Sequence, residues 1–178
     1  MSKTRYIVCL LIFCSAICRA EDVVTTHNFN TLFSASQLAL SDENTVGKVG
    51  DVVYTCVGTN AEFGAKLDGG TDICINLPTA DSYVIISPPF ERLNQLDVRF
   101  YYEYSKYDPE KILVEFSENG VEWREMPRLF DSNGQIMTNE FPIAPYYIKI
   151  TNKKNADMSI FKISYYQSPC YCFDHQAE

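Results

Sequence analysis

Between Leu96 and Tyr104 every even position is apolar or aromatic, while Asp97, Arg99 and Glu103 fall on odd positions. Successive side chains of a strand point to opposite faces, so this period of two predicts a half-buried β-strand. Ile112, Val114 and Phe116 repeat the pattern before Glu118-Asn119-Gly120 turns the chain toward Val121 and Trp123. Ser132-Asn133-Gly134 is a second Asn-Gly turn signal, suited to a tight hairpin. Residues 146–151 and 160–165 read as two more strands around a polar loop at 152–157, and 52–57, 72–76 and 83–87 read as earlier ones. Only residues 34–40 read as helical. Many short strands without crossover helices predict an all-β fold, an antiparallel β-sandwich of jelly-roll type. Pro88-Pro89 and Pro142 are placed to guard strand ends.

The first twenty residues follow a different rule. Lys3 and Arg5 precede an apolar run from Tyr6 to Ala16, and Cys18-Arg19-Ala20 ends in a small residue. This is the layout of a cleavable signal peptide, and eleven residues are too few for a membrane span, which needs about 20. The expected organisation is a signal peptide at 1–20 and a single β-sandwich domain at 21–178, secreted, periplasmic or at the cell surface, with no membrane span. Cleavage removes Lys3, Arg5 and Arg19 from the 15 basic residues, leaving 12 against 23 acidic ones. Such a surface repels phosphate backbones, so nucleic acid is a poor partner.

Cleavage also removes three of seven cysteines, leaving Cys56, Cys74, Cys170 and Cys172. An even number in an exported chain suggests disulfides, with three possible connectivities. Cys56–Cys74 is the preferred pair, because the segment between them is rich in Gly, Asn and Asp. Zinc is disfavoured, since the spacing lacks paired Cys-x-x-Cys units.

Three segments, in order, resemble the galactose-binding-like jelly roll of discoidin-type domains and carbohydrate-binding modules. Ser82-Tyr83-Val84-Ile85-Ile86-Ser87-Pro88 with the strand from Leu93 resembles one strand pair. The run from Ile112 to Trp123 resembles the family's "v.vS.DG..W" hairpin, with Glu118-Asn119-Gly120 standing where the family has Asp-Gly. Ala144-Pro145-Tyr146-Tyr147-Ile148-Lys149-Ile150-Thr151-Asn152 and the strand from Ile160 resemble the closing pair. The layout is also similar to exported β-sandwich proteins of Bacteroidota. The resemblance covers about half of the mature chain and implies the fold. Its motifs are core and turn positions, with Trp123 expected to plug the core, so no binding residue carries across.

Candidate chemistry is sparse. His27 and His175 are the only histidines, each near an end of the mature chain, where chains are usually loose; this argues against histidine-based catalysis. Paired carboxylates for glycoside hydrolysis exist in such number that no pair stands out. Asp68 and Asp72 flank Gly69-Gly70 and are candidate ligands of a structural Ca²⁺, although a plain exposed loop is favoured there. Tyrosines are in excess, twelve in all. Arg99, Tyr101 and Glu103 share the outward side of one strand and form the candidate ligand-binding patch, aromatic and polar in the way a sugar requires. The leading expectation is therefore an exported non-catalytic binding module, with carbohydrate as partner. A structural or adhesive protein that binds another surface protein is the alternative, and a carboxylate-based glycoside hydrolase is the third.

Overall fold

The computed structural model describes residues 23–67, 69–87, 93–102, 111–126, 129–130, 135–139 and 147–167. The expected signal peptide at 1–20, Asp68, Glu103, Cys170, Cys172, His175, the expected turn at Ser132-Asn133-Gly134, Pro88-Pro89 and Pro142 lie outside them.

Two antiparallel sheets form a β-sandwich. The first contains β1 (Val23–Asn28), β5 (Glu62–Ala65), β6 (Ile73–Leu77), β8 (Leu93–Tyr102), β11 (Leu129–Phe130), β12 (Gln135–Asn139) and β14 (Met158–Gln167). Its order is β11-β12-β8-β14-β6-β5, with β1 also paired to β14. The second contains β2 (Ala39–Leu40), β3 (Val46–Val49), β4 (Val52–Val57), β7 (Tyr83–Ile86), β9 (Ile112–Ser117), β10 (Arg124–Glu125) and β13 (Tyr147–Asn152). These run in the order β10-β9-β13-β7-β4-β3-β2.

The alternation that predicts the strands also fills the space between the sheets. Leu96, Val98 and Phe100 from β8 and Ile160, Ile163 and Tyr165 from β14 face Tyr54, Val84, Ile86, Val114, Ile148 and Ile150 of the second sheet. Each fully buried aliphatic or aromatic side chain contributes about 1.5–3 kcal/mol through removal from water. Packing is close enough to dictate a glycine: a Cβ at Gly47 would stand 2.4 Å from the Phe63 ring. Asn152, fully buried, ties the sheets at one end by donating to the Leu77 carbonyl (2.7 Å) and to that of Ala156 (2.8 Å).

The predicted turn after β9 is held by its own side chains. Asn119 Oδ1 accepts from the backbone N–H of Val121 and of Glu122, both at 2.9 Å, and Ser117 Oγ accepts from Gly120 N. Gly120 takes φ +73°, which glycine adopts without strain.

The helix is displaced from its expected place. It is α1 (Phe29–Ser34), not 34–40, and residues 39–40 pair as a strand instead. Asn28 is the cause, since its side chain accepts from Thr31 N and caps the helix start while Phe29 is buried as its anchor.

Candidate functional site

The outward side of the first sheet is written by β8 and β14. Arg99 sits between the buried Val98 and Phe100 and Tyr101 follows Phe100, so both project away from the core, as the sequence predicts. Arg99 is exposed and Tyr101 is 39% exposed. Glu103, the third member of the expected patch, lies outside the described residues. Asp97 shares this side yet is only 8% exposed. Its carboxylate accepts from Gln95 Nε2 (2.6 Å) and from the Tyr166 hydroxyl (3.1 Å). Burial, followed by the charge of Asp97, pushes the Tyr166 hydroxyl above its ordinary pKa, while Arg99 acts in the opposite direction.

A β-bulge decides what lies next to Arg99. The register between β14 and β8 moves from Ile160 opposite Phe100 to Lys162 opposite Arg99, so Phe161 is the extra residue. Ile160 and Ile163 remain in the core, and the bulge places both Phe161 and Lys162 on the outward side. Phe161 stacks on Tyr101 with ring centroids 4.5 Å apart. Lys66 Nζ stands 3.6 Å from the centroid of the same tyrosine ring. An ammonium that close would overlap a ring stacked on the same side, so the two contacts use opposite faces of Tyr101. The edge and hydroxyl of Tyr101 are what it offers directly, and Lys66 covers the face a sugar ring would stack on. Arg99 and Lys162 are cross-strand neighbours of like charge, and among the described residues neither has an ion-pair or hydrogen-bond partner.

The outward side of the second sheet is built on the opposite principle. Lys149 pairs with Glu115 at 2.7 Å, with side chains 16% and 15% exposed. The ring of Trp123 lies over the same ammonium at 4.3 Å, and Tyr83 flanks it at 5.8 Å. Trp123 is therefore half-buried on the surface of the second sheet, and the expectation that it plugs the core is corrected. Its place follows from β10, which is two residues long and begins only after Trp123. The tryptophan ends the turn and folds back across the outward side of β13.

No family model and no curated protein matches the chain. Among solved structures it is similar to a chain from work on glycan recognition in the Ruminococcus flavefaciens cellulosome, at 18% identity, covering 84% of this chain and 98% of that one, with a TM-score of 0.40. It is also similar to the C-terminal domain of a chitobiase from Bacteroides fragilis, at 12% identity, covering 84% and 95%, with a TM-score of 0.37. At these values neither likeness assigns a role to any residue.

Other sequence-predicted sites fare differently. Cys56 carries a free thiol, so the expected Cys56–Cys74 bridge is not formed. The period of two explains why. Cys56 belongs to the core of the sandwich, whereas Cys74 shares the outward side of β6 with Asn76, which bonds to Ser159. Burial and, after it, the charge of Glu62 push the Cys56 thiol up to about 12, which keeps it protonated and unreactive. Asp72, half of the expected calcium pair, accepts from Asn30 Nδ2 at 3.1 Å. Among the described residues no group of three or more His, Cys, Asp or Glu is gathered in a way that could hold a metal.

His27 is not in a loose terminus. It lies on β1, paired with Ile163 of β14, and is 6% exposed. Its Nδ1 hydrogen-bonds the Tyr54 hydroxyl, which in turn bonds that of Tyr165, forming a polar chain between the sheets. Burial lowers the His27 pKa and raises those of both tyrosines. All three groups are neutral near pH 7, sealed in the core, and serve as an internal strut. Three carboxylates elsewhere have side-chain partners: Glu115 with Lys149, Asp81 with Lys153 at 2.9 Å, and Asp97 with Gln95 and Tyr166.

Proposed function

We propose that this is an exported, non-catalytic carbohydrate-binding domain, and that the outward side of the first sheet is its recognition surface. The observation that carries this reading is the stacked pair of Tyr101 and Phe161 at the surface beside the exposed Arg99. A pyranose needs an apolar ring contact next to fixed hydrogen-bonding groups. Arg99 supplies donors, and Asp97 with Tyr166 supplies a polar pair whose geometry is set before any ligand arrives. Stacking on Tyr101 requires the Lys66 side chain to swing aside.

A glycan array followed by calorimetric titration tests the proposal. The expected result is saturable binding of a glycan that Tyr101→Ala weakens about tenfold, an effect of the size lost with one aromatic contact. Retained affinity in Tyr101→Ala, or no glycan bound by the wild-type protein, contradicts it.

A further inference from the structure

The acid–base balance of the chain makes the first sheet's outward side unusual. With 23 acidic residues against 15 basic ones, a cation has many opportunities to find a carboxylate. Lys149 and Lys153 both do so. Among the described residues Arg99 and Lys162 do not, although they stand directly opposite one another across the β8–β14 pairing. Like charges facing each other across two strands destabilise a sheet. Lys66 brings a third positive charge close to the same spot through its contact with Tyr101, which Phe161, the residue next to Lys162, stacks against. Of the acids on this side, Asp97 is only 8% exposed and already accepts two hydrogen bonds, and Glu62 lies on β5, separated from β14 by β6.

We infer that the surface recognises an acidic saccharide, one whose ring carries a carboxylate, with Arg99 and Lys162 as the pair that reads the charge. This deepens the carbohydrate-binding proposal and rests on it. A carboxylate placed between the two cations would relieve their mutual repulsion and gain charge-assisted hydrogen bonds from the planar guanidinium of Arg99. Tyr101 is the next outward residue of β8 and Phe161 sits in the bulge beside Lys162, where the rest of the sugar ring would pack. The overall negative charge of the chain turns the patch into a selective device. An acidic polymer is repelled by most of the surface and attracted at this one place.

The test titrates the wild-type protein with a panel of acidic oligosaccharides, oligogalacturonate among them, and with the same compounds after methyl esterification of the carboxylates. Esterification removes the charge and leaves the ring faces and hydroxyls in place. The inference predicts binding of an acid form, loss of about tenfold on esterification or in the Arg99→Gln/Lys162→Gln double variant, and strong weakening from low to high salt. Thermal unfolding of the double variant serves as the folding control. Equal affinity for acid and ester forms, with no effect of the double variant, overturns the inference but leaves carbohydrate binding standing. Equal competition by inorganic sulfate at matched ionic strength also overturns it, because the cations would then be a general anion site. If neither form binds and no neutral glycan binds, both the inference and the proposed function fail.

Discussion

The two outward sides of the sandwich treat a positive charge in opposite ways. On the second sheet Lys149 is enclosed: Glu115 neutralises it, Trp123 lies across it and Tyr83 flanks it. On the first sheet Arg99 and Lys162 are set side by side with no partner among the described residues. The same strand geometry produces both, so the difference lies in what each cation is given to meet. A satisfied cation under an aromatic ring belongs to the architecture, whereas two like charges side by side, one exposed and one half-buried, do nothing for the stability of the sheet. The aromatic residues follow the charges. Trp123, the only tryptophan in the chain, closes an ion pair, while Tyr101 stands beside two cations that have no partner among the described residues.

The sharpest way to break the contrast is to remove Lys149. Lys149→Ala leaves the half-buried Glu115 without its counter-charge, and a loss of about 2 kcal/mol in urea unfolding is expected, with glycan affinity unchanged. A second test concerns the strut beneath both faces. His27 has its pKa lowered by burial, so the unfolded chain binds its proton first as pH falls below the ordinary value of 6.5. Stability should therefore be complete above that pH and decline as pH drops through the depressed value, at up to about 1.4 kcal/mol per pH unit. Tyr54 and Tyr165 act at the other end. Their raised pKa values mean that the unfolded chain ionises first, so stability declines as pH rises above 10. Denaturant midpoints across pH check both limbs, and a flat profile would contradict the buried strut.

Smaller effects sharpen the first sheet. Arg99→Gln and Lys162→Gln should each leave the melting temperature unchanged or raise stability by a few tenths of a kcal/mol by removing repulsion, while weakening ligand binding. A clear drop in stability would show that these cations are structural after all. The smallest effect is the absence of one. Ligand added to the wild-type protein should leave the emission of Trp123 unaltered, because that ring faces away on the other sheet.

Much of the scaffold is legible in the sequence because strand alternation is a local signal. The expected strand at 52–57 is β4 with the same limits, and Asn119 and Gly120 announce the turn after β9. The helix is misplaced by reading apolar spacing over 34–40, when the capping oxygen of Asn28 fixes the start earlier. The candidate patch is half legible. Arg99 and Tyr101 follow from alternation on one strand, but Lys162 does not. The run Ile160-Phe161-Lys162-Ile163 breaks the period of two, and only the bulge shows that both middle residues face outward. Lys66 is reached across a loop and has no local signal at all. The cysteine pair fails for the same reason, since sequence separation says nothing about which face of a sheet each thiol occupies.

The central claim is that the first sheet's outward side meets the ligand and the second sheet's does not. Amide chemical-shift mapping during titration with an acidic oligosaccharide tests it directly. Shifts concentrated at residues 95–101 and 159–166 are expected, with Leu113, Glu115, Trp123 and Lys149 unmoved. Shifts centred on Trp123 and Lys149, with Arg99 and Lys162 silent, would contradict it.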